Sequence, residues 1–254
     1  MGYKALMLDL DGTLIPYDYD ALPSKKVISA VKEARKRVHI SLVTGRALHT
    51  AIKIATLLDC KEGFLVINNG AQVFDIKAKS YVYSQPIAAE DMPHILRILQ
   101  EEQIAFYIKD DTWDKLRHYQ EGQKIVNPYM IFTDDVLSDE TAARITSLLH
   151  AVTNLTIHKT HHRHADKYAL NISHINATKL HGIHVVQKQL GITQKETIGV
   201  GDSYNDFPLL MASGLKVAMG NAVSDLKAIA DVIAPPVTED GVAWVIEKYI
   251  LQKS

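Results

Sequence analysis

The chain has 254 residues, of which 47% are hydrophobic and 22% charged, with 28 basic against 29 acidic side chains. That length can bury a substantial core in one large or two modest domains, and the balanced charge gives no reason to expect nucleic acid or an anionic membrane as a partner. No apolar run reaches the roughly 18 residues of a membrane span, and the lone Cys60 excludes an internal disulfide, so a cytoplasmic setting is expected.

Tyr3 to Leu8 is a short, mostly apolar run that reads as a buried strand. Where it gives out come Asp9 and Asp11, then Gly12, which permits a tight turn. In extended chain, residues i and i+2 face the same way, so the two carboxylates are expected to converge. Like charges that close require a cation between them, or a division of labour between nucleophile and acid. Ser24 can cap a helix whose Val27, Ile28, Val31 and Ala34 keep helical spacing. His39 to Thr44 reads as a second buried strand, Leu48, Ile52, Ala55 and Leu58 as a helix, and Phe64 to Asn69 as a third strand. Such alternation implies right-handed βαβ units and a parallel sheet covered on both faces.

Beyond that point the pattern changes. Gln72 to Phe74 and Tyr81 to Tyr83 flank a Lys-rich polar stretch and predict a hairpin. From about Pro86 to His174 the order becomes helix, strand, strand, helix, strand, strand, with helices marked by Met92, Ile95, Leu96 and Leu99 and by Ala142, Ile145, Leu148 and Leu149. The expected organisation is an α/β, Rossmann-like core built from residues 1–85 and 175–254, with residues 86–174 inserted as a smaller α+β domain. From Thr178 the parallel pattern resumes: a helix to about Leu190, a strand from Thr197 to Gly201 ending at Asp202, and strands near Lys216 to Met219 and Val232 to Ala234. A last helix starts near Asp240. His158, His161, His162 and His164 match no familiar metal-ligand spacing and read as a solvated loop of the insert.

Four segments fall where a parallel sheet places a site, around the carboxyl ends of its strands. They are Asp9 to Asp11, Thr44-Gly45-Arg46, Lys179, and Gly201-Asp202-Ser203-Tyr204-Asn205-Asp206. Together they offer carboxylates, a hydroxyl, backbone N–H groups, an amide and an ammonium, a set suited to a phosphate beside a divalent cation. Arg46 could equally be a surface or structural ion pair and stays outside the catalytic set.

At these residues the chain resembles the haloacid dehalogenase superfamily of phosphatases, and within it the Cof-type branch. Asp9-Leu10-Asp11-Gly12-Thr13 is similar to the first motif, Thr44-Gly45-Arg46 to the second, Lys179 to the third, and Gly201-Asp202-Ser203 with Asn205-Asp206 to the fourth. Asn68-Asn69-Gly70-Ala71, Gly220-Asn221-Ala222 and Glu239-Asp240-Gly241-Val242-Ala243 look like secondary signatures of that branch. One departure is Leu180, where the family usually has glycine after the lysine; Lys167 is the nearest other lysine upstream. The resemblance implies a Mg²⁺-dependent phosphomonoester hydrolase acting on a small soluble substrate, with a sugar phosphate as the family-level expectation and the insert as a cap domain. It implies Asp9 as nucleophile, forming an aspartyl-phosphate, and Asp11 as general acid and base. Mg²⁺ would be held by the Asp9 side chain, the Asp11 backbone carbonyl and Asp202. Phosphate would be held by Leu10 N–H, Thr44, Gly45, Lys179 and Asn205, with Asp206 supporting. Two alternatives stand beside this reading, a phosphomutase and a non-enzymatic phosphoaspartate switch. Nothing in the sequence sets the oligomeric state.

Overall fold

The computed structural model describes residues 2–18, 20–110, 117–133, 137–161 and 167–252. The chain divides into two compact units, one formed by Met1–Ser84 with Thr178–Ser254 and the other by Gln85–Ala177. Each has its own buried apolar cluster.

The larger unit is an α/β layer structure around one eight-stranded sheet. Its first half runs β1 (Ala5–Leu8), α1 (Lys25–Ala34), β2 (His39–Val43), α2 (Leu48–Leu57), β3 (Phe64–Ile67), β4 (Gln72–Asp75) and β5 (Ser80–Ser84). Helix α1 begins where expected, because the Ser24 hydroxyl accepts the Val27 N–H and so satisfies one of the free donors of the first turn. Its Val27, Ala30, Val31 and Ala34 form one buried face.

In the other unit the order is α3 (Met92–Glu101), β6 (Phe106–Lys109), β7 (Arg117–His118), β8 (Met130–Thr133), α4 (Asp139–Leu149), β9 (Leu155–His161) and β10 (Tyr168–His174). The larger unit then resumes with α5 (Lys179–Leu190), β11 (Thr197–Gly201), α6 (Phe207–Met211), β12 (Leu215–Ala218), α7 (Ser224–Ile229), β13 (Val232–Ile233) and α8 (Gly241–Ile246).

Strands of the large sheet lie in the order β13-β12-β11-β1-β2-β3-β4-β5. The six from β13 to β3 run parallel. Strands β1 and β3 are buried throughout, as expected of parallel strands covered on both faces. The predicted hairpin β4–β5 does not stand apart but extends this sheet with antiparallel pairing, so the sheet is mixed rather than purely parallel. The reason is the short turn Asn68–Gly70 between β3 and β4, since a parallel crossover needs a dozen residues or more.

The insert unit is a five-stranded antiparallel sheet in the order β7-β6-β8-β10-β9. Phe106, Ile108, Ile131, Leu170 and Ile172 from the sheet share one core with Ile95, Leu99, Ala142, Ile145 and Leu149 from the helices. It carries one strand more than the sequence pattern predicts, the two-residue β7, too short to show any alternation. Of the histidine group, His158 and His161 fall within strand β9, not in a loop, while His162 and His164 lie outside the described residues.

Candidate active site

Strand β1 lies between β2 and β11, so the loops leaving the carboxyl ends of these three strands are neighbours. Asp9 follows β1, and its N–H still donates to Val200 O at 3.0 Å, carrying the β11 pairing one residue past the strand. Leu10 then turns, its carbonyl accepting the N–H groups of Thr13, Leu14 and Ile15. Gly12 has φ +83°, and a Cβ there would lie 2.4 Å from Asp202 Oδ2, so the close approach of the two loops requires glycine.

This turn removes the extended geometry on which the expected convergence of Asp9 and Asp11 rests. Extended alternation ends with β1 at Leu8, one residue before Asp9. The Asp11 carboxylate instead meets the Arg46 guanidinium, with Nε at 2.9 Å from Oδ2 and Nη2 at 2.5 Å from Oδ1. Arg46 is thus the partner of Asp11, a pairing that links the first and second motifs. The carboxylates gathered around Asp9 are Asp202 and Asp206, all three buried and within 4.8 Å of one another.

Lys179 joins that group. It opens α5, behind the capping residue Thr178, and is only 1% exposed. A cation at a helix N-terminus runs against the macrodipole; here it is held by carboxylates, with Nζ 2.5 Å from Asp9 Oδ1 and 2.6 Å from Asp206 Oδ1. Burial pulls the Lys179 pKa down, but Asp206 and Asp9 outweigh it and raise the pKa above its ordinary value, so the ammonium stays charged. Lys167 is exposed and belongs to the other unit.

Each carboxylate has a distinct set of partners. Asp206 is saturated: Oδ1 takes Lys179, and Oδ2 accepts the N–H groups of Asp202 at 2.9 Å and Ser203 at 3.0 Å. Asp202 Oδ1 accepts from the Thr13 hydroxyl at 2.9 Å, and Oδ2 accepts from the Tyr17 hydroxyl. Burial, with Asp206 adding to it, pushes the Asp202 carboxyl up to about 6 against the pull of Tyr17 and Thr13. Asp9 is also raised well above the ordinary carboxylate range, by burial first and then by Asp206 and Asp202, against the pull of Lys179. Among the described residues, nothing donates to Asp9 Oδ2 or to the Asp11 carbonyl oxygen.

These features fit a divalent cation. Three buried carboxylates against one ammonium leave, when all are ionised, an excess of two negative charges, which adds to burial in raising the carboxyl pKa values. Since Asp206 is already committed to Lys179 and two backbone donors, Asp9 and Asp202 are the carboxylates left with room for a hard metal.

The remaining candidates lie around the same strand ends. Thr44 is fully buried and follows β2; its hydroxyl accepts the Arg46 N–H at 3.0 Å and keeps its own proton to donate. Gly45 lies next to it, close against the Asn69 side chain. The N–H of Leu10 has no acceptor among the described residues. Asn205 lies in the turn after β11 and donates from Nδ2 to Asn69 Oδ1 at 3.2 Å. The sequence reading left out Thr13 and Tyr17, whose hydroxyls both reach Asp202. Thr13 carried a signal as the residue closing the first motif, whereas Tyr17 sits in a polar stretch that reads only as loop.

The family model of haloacid dehalogenase-like hydrolases matches residues 6–128 and 106–246 of this chain. The 5-amino-6-(5-phospho-D-ribitylamino)uracil phosphatase of Bacillus subtilis is 27% identical over 250 residues, which cover 98% of this chain and 96% of that protein. Phosphoglycolate phosphatase 1 of Saccharolobus solfataricus is 27% identical over 248 residues, covering 97% and 96%. A solved haloacid dehalogenase-like hydrolase from B. subtilis superposes with a TM-score of 0.80 at 23% identity, over 96% of this chain and 99% of that one. With most of its length matched and the strand-end carboxylates in place, the chain belongs to the family of haloacid dehalogenase-like hydrolases.

Proposed function

We propose that this protein is a Mg²⁺-dependent phosphomonoester hydrolase in which Asp9 is the nucleophile, and that its substrate is a small phosphorylated compound of the sugar-phosphate class. The observation that carries this reading is the pairing at Asp9. Lys179 fixes Oδ1, and Oδ2 receives no hydrogen bond among the described residues, so one oxygen is anchored and the other is available for attack on phosphorus. Attack forms an aspartyl-phosphate and expels the alcohol; Asp11 gives that alcohol its proton and then takes one from the water that hydrolyses the acyl phosphate. Lys179, the Thr44 hydroxyl, the Leu10 N–H, Gly45 and Asn205 bind the phosphate oxygens. Asp9, Asp202 and the free carbonyl of Asp11 hold Mg²⁺, which when bound offsets the negative charge that a phosphate ester would otherwise meet in this pocket. Asp206 keeps Lys179 in place. The sugar-phosphate assignment rests on the phosphoribityl group in the name of the B. subtilis relative. The insert is proposed to act as the cap that selects among substrates.

The test is inorganic phosphate released from a panel of phosphomonoesters. Release is expected with Mg²⁺, to be lost after EDTA and restored by added Mg²⁺, and Asp9→Asn is expected to abolish it, because an amide is a poor nucleophile. Turnover by Asp9→Asn near that of the unaltered protein would overturn the mechanism, and transfer of the phosphoryl group to a second sugar hydroxyl in the presence of a bisphosphate, without release of inorganic phosphate, would point to a phosphomutase.

A further inference from the structure

We propose that Asn69 is a positioning residue for phosphate binding, acting through the side-chain amide of Asn205; the proposal rests on the phosphate site described above. Asn205 is exposed in the turn Tyr204–Asp206, and its bond to Asn69 Oδ1 is the only hydrogen bond its side chain makes among the described residues. An exposed amide on a turn samples several rotamers, and ordering it on binding weakens affinity. One N–H of Asn205 donated to Asn69 fixes the plane of the amide and leaves the second N–H for a phosphate oxygen.

Asn69 is itself firmly held. It has φ 55° and ψ 25°, a left-handed backbone that asparagine tolerates better than most residues. Its N–H donates to Thr44 O at 3.0 Å, and the preceding Asn68 donates from its backbone to Arg46 O at 3.0 Å and from Nδ2 to Gln72 Oε1 at 2.7 Å. On the other side, a Cβ on Gly70 would lie 2.0 Å from Thr178 O, so the turn is seated directly on the residue before Lys179. A Cβ on Gly45 would lie 3.0 Å from Asn69 Oδ1. One short turn therefore joins the loop of Thr44 and Gly45, the start of the Lys179 helix and the loop of Asn205, and Asn69 is its only member bonded to the Asn205 amide.

The experiment is a double-mutant cycle read in equilibrium affinity for inorganic phosphate, measured by calorimetry in Mg²⁺. Its variants are Asn69→Gly, which accepts the left-handed backbone without the side chain, Asn205→Ala, and the two combined. Asn69→Gly is expected to weaken phosphate binding about 3- to 10-fold, the range of one hydrogen bond, with KM rising alongside and kcat changing less. In the double variant the loss is expected to equal that of Asn205→Ala alone, because Asn69 then has nothing to position. Unchanged affinity in Asn69→Gly, losses that multiply in the double variant, or no phosphate binding by the unaltered protein would overturn the proposal. The hydrolase reading falls separately, if Asp9→Asn still turns over, and the cycle decides the role of Asn69 either way.

Discussion

Asp9 and Asp11 are two residues apart, yet they occupy different electrostatic surroundings. Asp9 is buried among Asp202, Asp206 and Lys179, while the Asp11 side chain is 36% exposed and held by Arg46. The nucleophile proposed at Asp9 would need enclosure, and the general acid and base proposed at Asp11 would need access to an alcohol and then to water; the two environments are suited to one each. On that proposal Arg46 orients Asp11, and its loss is expected to cost rate without removing the chemistry. Asp11→Asn is expected to lower kcat roughly 10²- to 10⁴-fold, the usual worth of general acid–base catalysis. Arg46→Ala is expected to cost less than Asp11→Asn and to add little to it in the double variant, since both act through one carboxylate. Steady-state kinetics on one good phosphomonoester decides; equal, multiplying losses would show that Arg46 acts independently of Asp11. None of this pairing is legible in sequence. Carboxylates at a strand end announce themselves through position, but a salt bridge between residues 35 apart depends on how two loops fold back.

Among the elements, the turn Asn68–Gly70 has the greatest leverage. It sets the antiparallel course of β4, and Gly70, at φ +99°, lets it touch Thr178, the N-cap of α5. Helix α5 is drawn equally close to β3, since a Cβ on Gly182 would lie 2.4 Å from Val66 Cγ1. Gly70→Ala is expected to lose about 3 kcal/mol or more in urea denaturation, combining backbone strain with overlap against a main-chain oxygen. Stability within 1 kcal/mol of the unaltered protein would mean the helix can shift at little cost. The βαβ order was readable because buried parallel strands and amphipathic helices carry different periods. The hairpin was readable as well, but not its place in the sheet, because strand neighbours are a matter of long-range pairing that local pattern does not encode.

On the scale of the whole molecule, the two units have separate cores, and the chain passes between them near Ser84 and Thr178. Every proposed catalytic, phosphate and metal residue lies in the larger unit. Replacing residues 85–177 with a short linker is therefore expected to leave a folded protein. It should still hydrolyse a small generic ester such as p-nitrophenyl phosphate, while discrimination among natural substrates is lost. Unchanged discrimination in the folded, shortened protein would show that the insert does not select the substrate. Among the described residues no helix is long and apolar enough to cross a membrane.

The split of the larger unit has a consequence for its synthesis. Strand β1 gains one neighbour, β2, from the chain that follows it closely, but its other neighbour, β11, is encoded nearly 200 residues later. A growing chain at about 5–20 residues per second therefore leaves one edge of β1 without its partner for roughly 10 s or longer, while the insert, local in sequence, can already fold. Asp9 has no ammonium to meet until Lys179 emerges, and the carboxylates of Asp202 and Asp206 arrive later still. The proposed phosphate-binding apparatus is thus closed by the last quarter of the chain, and a ribosome stalled before that point would hold a protein with no site to misfire.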